Sequence, residues 1–227
     1  MTIQIYLYLA VAQTVLSAIV AFGALVRYRS RSFIVKLIGF VFLTSFLANM
    51  AAWLMVGTAL RIFVNSTYPV SLIITIGLYS RIYYNLLHKK NRGWFVLVAC
   101  VFAVFALVNI LFIQKTTPNS FTYLFHSAIM ITYCLLYFYV LMQDLPSLYV
   151  HQLPMFWFNA GLLVFHAGTF FLFSFHAYLV NVLKNNMLIY WSFHNMLSNI
   201  EHIIFLIGLY YDLRWLRRKG PALPTEV

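Results

Sequence analysis

An all-α fold, a polytopic membrane protein with seven transmembrane helices, is what this sequence predicts, and three observations predict it. Hydrophobic residues make up 63% of the chain and charged residues 8%, against roughly 25% charged in soluble domains. Seven apolar runs are each long enough for a membrane span, which takes about 20 helical residues. Lys and Arg concentrate in alternate connections, the asymmetry that keeps positive residues on the cytoplasmic side. Helix is expected throughout, because only helices and closed barrels satisfy their backbone in lipid and no alternating strand pattern marks a barrel. Residues 1–213 read as one integral domain, and 214–227 as a short, basic, mobile cytoplasmic tail.

The first run, Ile5–Val26, lacks a basic leader and a small-residue cleavage site, so it reads as a retained span and not a signal peptide. Arg27, Arg29, Arg31 and Lys36 lie between it and the body of the second run, Phe33–Ala59. The third run, Pro69–Leu87, follows Arg61 and the sequon Asn65-Ser66-Thr67, which is placed in an external loop. Its Arg81 reads as an arginine snorkelling to the inner surface, and Lys89, Lys90 and Arg92 come after it. The fourth and fifth runs, Trp94–Ile113 and Phe121–Met142, hold Cys100 and Cys134, so no structural disulfide is expected. The sixth and seventh are Met155–Val180 and Met187–Leu213, the last followed by Arg214, Arg217, Arg218 and Lys219. The opposite side carries only Arg61, Lys115 and Lys184, which places the N-terminus outside and the C-terminus in the cytoplasm. Every proline (Pro69, Pro118, Pro146, Pro154, Pro221 and Pro224) reads as a boundary or loop residue. The matched Pro/Gly interruptions of discontinuous transporter helices are not visible.

Several function classes lose ground on this pattern. The net charge of +11 is split between short loops and reads as a topology signal with some attraction to anionic lipid, so nucleic-acid binding is not expected. A retinal Schiff base needs a lysine inside the bundle, whereas Lys36, Lys89, Lys90, Lys115, Lys184 and Lys219 all fall at edges or in loops. No nucleophile, base and orienting group stand together in the sequence, so enzymatic activity is not expected.

The strongest functional signal is a polar stripe on the seventh run, formed by His194, Asn195, Ser198, Asn199, Glu201 and His202. Polar side chains at membrane depth are costly and face a bundle interior or a wet cavity. At about 100° per residue, His194, Ser198 and Glu201 form one row and Asn195, Asn199 and His202 the next. Phe193, Met196, Leu197, Ile200, Ile203 and Ile204 cover the other face. Interhelical hydrogen bonding, worth about 0.5–1 kcal/mol per bond, accounts for Asn and Ser in such a place. Glu201, read as the only acidic residue within a span, asks for more: a buried carboxyl pairs with a cation or takes up a proton. His166 joins it near mid-span, while His126, His176 and His194 fall in the outer third and are candidate metal ligands. The spacing is not specific, since no HxxxH or HExxH pair occurs and His176 lies about 80° around the helix from His166.

The segments Phe156-Trp157-Phe158-Asn159-Ala160-Gly161-Leu162-Leu163, Gly168-Thr169-Phe170-Phe171-Leu172-Phe173 and Tyr190-Trp191-Ser192-Phe193-His194-Asn195-Met196-Leu197-Ser198-Asn199-Ile200 carry a resemblance. They are similar to an uncharacterised bacterial family resembling the seven-helix sensor regions fused to, or encoded beside, histidine kinases. The resemblance covers about a quarter of the chain and implies membrane sensing, in a bacterial inner membrane, through a partner kinase. Gly161 and Gly168 read separately as sites of close helix packing.

Three functions are therefore weighed. The first is a receptor-like or sensor module that binds a small or lipidic ligand, or senses protonation, between helices five, six and seven. It would signal through a partner at the basic face formed by Arg27, Arg29, Arg31, Lys89, Lys90, Arg92, Arg214, Arg217 and Arg218. The second is a redox protein with haem or metal held by histidines. The third is a proton-coupled carrier that uses Glu201.

Overall fold

The structure is a computed structural model that describes residues 3–56, 58, 64–87, 92–114, 119–144, 149–176, 178–179 and 187–219. Helix accounts for 94%, and no strand occurs among the described residues. Seven helices follow in order: α1 Ile3–Leu25, α2 Phe33–Val56, α3 Val64–Leu86, α4 Arg92–Val108, α5 Ser120–Asp144, α6 Pro154–Ser174 and α7 Met187–Lys219. A π-turn, Asn109–Ile113, continues α4. Five of these elements (α1, α2, α4 with its π-turn, α5 and α6) are long and apolar enough to cross a membrane. Helices α3 and α7 match them in length, at 23 and 33 residues, but polar side chains along both dilute their apolar character.

Several boundaries differ from the sequence reading. Helix α3 begins at Val64, so Pro69 lies in its second turn and the sequon opens the helix instead of a loop. A proline there removes one early backbone hydrogen bond and crowds the carbonyl four residues before it. Pro154, by contrast, takes the first turn of α6, where its fixed φ suits a helix start. Helix α6 stops at Ser174, short of Val180. Helix α7 runs on to Lys219, so 214–219 belong to the bundle's last helix and not to a tail. Leu, Arg and Lys are good helix formers, and the first breakers are Gly220 and Pro221. Arg61, Lys89, Lys90, Lys115, Lys184, Pro118, Pro146, Pro221, Pro224 and the side chains of Asn65, Ser66, Arg218 and Lys219 lie outside the described residues.

Six helices close a ring in which α1 packs on α2, α2 on α3, α3 on α5, α5 on α6, α6 on α7 and α7 on α1. Helix α4 stands outside against α3 and α5 and buries only Phe95, Phe102 and Ala106. Closure at α6–α7 depends on missing side chains. A Cβ on Gly161 would meet Phe205 at 3.1 Å, one on Gly168 would meet Leu197 at 2.5 Å, and one on Gly208 would meet the Phe158 ring at 2.5 Å. Small residues let helices approach without a competing apolar solvent effect to drive them. Gly161 and Gly168 fit the sequence expectation; Gly208, the reciprocal notch on α7, was not anticipated.

The bundle is unequal along its length. The main core (Val20, Ala24, Ile38, Phe42, Ile82, Tyr83, Met130, Tyr133, Phe158, Phe205 and their neighbours) fills one half. Apart from Met130, just before the middle of α5, these residues come from the C-terminal halves of α1, α3, α5 and α7 and the N-terminal halves of α2 and α6. Hydrogen bonds lace the same half. Tyr83 donates to Asn159 Oδ1 at 2.5 Å, its hydroxyl lies 3.2 Å from Cys134 Sγ, and Ser80 meets the Tyr133 hydroxyl at 3.1 Å.

That half ends in the basic residues, and here two expectations are corrected. Arg31 is not part of an exposed surface: it is buried, ion-paired with Asp212, and donates to the carbonyls of Gly23 at 2.7 Å and Val26 at 3.2 Å. It thereby satisfies carbonyls that the end of α1 leaves without helical partners. Asp212 is a second acidic residue within the seventh run, so Glu201 is not the only one. Arg27, Arg29, Arg92, Arg214 and Arg217 remain exposed. Arg81 extends over the rings of Phe33 at 5.7 Å and Tyr84 at 5.4 Å.

Arg31→Ala and Asp212→Ala each leave one charge buried alone, and each is expected to destabilise the bundle by about 3–5 kcal/mol. Arg31→Ala is the worse of the two because α1 also loses two carbonyl donors. Thermal melts in detergent that match the wild type would show that the pair contributes nothing. Gly208→Ala is expected to lower the melt by overpacking against Phe158, a cost of about 1–3 kcal/mol. Gly77→Ala, where an added Cβ meets nothing within 4 Å, should not; equal shifts would contradict close packing at α6–α7.

Candidate functional site

The half of the ring opposite the basic end holds a cavity of about 540 Å³. It is lined from α1, α2, α3, α5, α6 and α7. At the far end its wall is made by Tyr6, Val56, Tyr68, Asn119 and Trp191, and at mid-depth by Thr14, Phe42, Tyr79, Glu201 and His202. Aromatic side chains supply much of the surface, and hydroxyl, amide and imidazole groups punctuate it.

Helix α7 aims its stripe inward as its periodicity requires. His194, Asn195, Ser198, Glu201 and His202 are all buried and line the cavity, while Phe193, Met196, Ile200 and Ile203 are exposed on the outer face. Asn199 departs from the expected grouping. It turns toward α1, donates from Nδ2 to the Leu9 carbonyl at 3.1 Å, and does not line the cavity. It sits at the edge of the polar arc, where the neighbouring helix is met before the interior.

Glu201 is 5% exposed. Among the described residues its carboxyl has neither a hydrogen-bond nor an ion-pair partner, and the buried cation Arg31 pairs with Asp212 instead. The adjacent His202 does not reach it: Nδ1–H donates to the Ser198 carbonyl, and the ring stands edge-on to Phe42 at 5.0 Å. His126 of α5 and His166 of α6 touch, with ring centroids 5.2 Å apart, and His166 Nδ1 lies 3.4 Å from Ser127 Oγ. His194 is enclosed by Phe165 at 5.5 Å, Trp191 at 5.8 Å and Tyr123 at 5.9 Å. Four buried polar atoms of lining residues lack a hydrogen-bond partner: His126 Nε2, Thr169 Oγ1, His194 Nδ1 and His202 Nε2. Such groups carry a desolvation cost that a polar ligand can relieve.

The three candidate metal ligands are not brought together. His176 lies beyond the end of α6 against Tyr190, ring to ring at 5.2 Å, and does not line the cavity with His126 and His194. It stands ten residues after His166 and two past the last residue of α6. No group of three His, Cys, Asp or Glu side chains converges to hold a metal among the described residues. His126 and His166 contact each other directly, which leaves no slab between them for a planar macrocycle.

The sequence points to a pocket among α5, α6 and α7, but α1, α2 and α3 supply the other half of its wall. Gln13 and Thr14 of α1, Ser45 and Asn49 of α2, and Ser71, Thr75 and Tyr79 of α3 all line it. A signal was available: Ser45 and Asn49 are four residues apart, hence on one face of an otherwise apolar helix. No protein-family model, curated protein or solved structure matches the chain.

A hollow half and a packed half should answer differently to added volume. Ala48→Leu projects into the cavity and is expected to leave the melting temperature near the wild-type value. Ala24→Leu, at a position with 0% exposure in the packed half, should cost about 1–3 kcal/mol. The reverse order would mean that the cavity does not exist in the membrane-embedded protein.

Proposed function

We propose that this chain is a receptor-like membrane module that binds a small or lipidic ligand in the central cavity and passes its occupancy to a partner at the basic end. The observation that carries the reading is Glu201, a buried carboxyl with no partner among the described residues, set in the wall of a cavity of about 540 Å³. Small-molecule sites are concave, mostly apolar, about 300–1,000 Å³ in volume and fixed by a few polar groups. The positive-inside rule supports seven spans with the basic end in the cytoplasm and the cavity on the outer side. In that orientation the ligand enters from outside or from the outer leaflet.

Packing across the cavity floor supports the transmission step. Phe42 lines the cavity and also contacts Phe205 at 4.7 Å, while Tyr79 lies next to Ser80 and its hydrogen bond to Tyr133. A ligand that favours one arrangement of these side chains shifts the packing below them only by its differential affinity for the two arrangements. The resemblance to sensor regions beside histidine kinases supports a kinase as the partner, docking where Arg27, Arg29, Arg92, Arg214 and Arg217 are exposed.

Native mass spectrometry of the full chain released from mild detergent tests the reading. A bound small molecule is expected with the wild type, reduced in Glu201→Gln and retained in Asn199→Ala, whose amide serves α1–α7 packing worth about 0.5–1 kcal/mol. An unliganded wild type, or equal losses in both variants, would reduce the stripe to structural glue. A Soret band or stoichiometric metal in the same preparation would instead favour the redox reading.

A further inference from the structure

Resting on the binding-module reading, we infer that the cavity is built for an organic cation, a molecule with an aromatic or apolar body and a protonated amine that pairs with Glu201. The charge inventory of the wall is one-sided. Among the described residues it contains one carboxyl and no Lys, Arg or second acidic side chain. The cations of the packed half are not available to it, since Arg31 is committed to Asp212 and Arg81 extends over Phe33 and Tyr84. None of the four histidines in the wall has a hydrogen bond to Glu201.

A carboxyl in this position distinguishes ligands by charge. An ammonium supplies the missing partner through a charge-assisted hydrogen bond, the stronger class of such bonds. Phe42 and Tyr79 also line the cavity, and the face of an aromatic ring attracts cations and repels anions. A carboxylate or phosphate ligand would meet Glu201 with no positive side chain to offset it. A bare divalent ion is a poor fit as well, because among the described residues no second carboxyl stands beside Glu201 and the cavity is far larger than an ion.

The test uses the full chain in detergent or nanodiscs and three near-isosteric probes: tryptamine, tryptophol and indole-3-acetate. Isothermal calorimetry on the wild type is expected to rank tryptamine at least about tenfold tighter than tryptophol, as a hydrogen bond to a charged group implies, with indole-3-acetate weakest. Glu201→Gln should remove the preference for the amine over the alcohol while both still bind. If tryptophol or indole-3-acetate binds the wild type as tightly as tryptamine, the cavity takes ligands but the cation inference is wrong. If Glu201→Gln keeps the amine preference, Glu201 is not its source and the inference also fails. If none of the three binds, the cation inference is overturned, while the binding-module reading is decided separately by the native mass spectrum. The wild-type ranking stands without the variant, so a poorly folded Glu201→Gln does not shield the proposal.

Discussion

The close approach of α6 and α7 is the contact on which the rest of this bundle depends. Phe158 of α6 occupies the notch left by Gly208, and Leu197 and Phe205 of α7 occupy those left by Gly168 and Gly161. Interlocking in both directions fixes the rotation of α7 about its axis. That rotation turns Glu201, His194 and Asn195 into the ring and leaves Phe193, Ile200 and Ile203 outside. A larger residue at any of these glycines would push the helices apart or rotate one of them, moving the polar stripe with it.

From this closure follows the division of the molecule into a packed half and a hollow half. Large aromatic and aliphatic side chains, the Tyr83–Asn159 hydrogen bond and the Arg31–Asp212 pair concentrate in one. In the other, aromatic rings and polar side chains line a space that the surrounding helices do not fill. The packed half ties the helix ends together at the basic end, below the cavity floor formed by Phe42 and Tyr79. A buried ion pair contributes little net stability by itself. Its role here is better described as registry, since Arg31 joins the end of α1, the start of α2 and the end of α7 at one place.

The polar residues of α7 divide by what they face. Asn199 bonds α1 and serves packing, whereas Glu201, Asn195 and His194 line the cavity. Asn199 and Glu201 are two positions apart in sequence, and that step changes a helix–helix bond into a carboxyl with no partner among the described residues. Fully satisfied polar networks, such as the one around Tyr83, specify a single packing. The carboxyl in the wall leaves a choice open, and in the present reading a ligand makes it.

Some of this was legible in the chain. Composition and run length establish a helical membrane class because lipid admits few backbone solutions. The 3.6-residue period shows that one face of α7 is polar over two turns, since that depends only on local geometry. The glycines at 161 and 168 could be read as sites of close packing for the same reason. What the sequence did not determine was every fact that depends on how one helix is turned against another. The participation of α1, α2 and α3 in the cavity wall is one such fact. So are the diversion of Asn199 to Leu9, the separation of His176 from His126 and His194, and the withdrawal of Arg31 from the surface to Asp212. These were decided by tertiary structure, because side-chain interlocking between helices, and not the periodicity within one, sets their relative rotation.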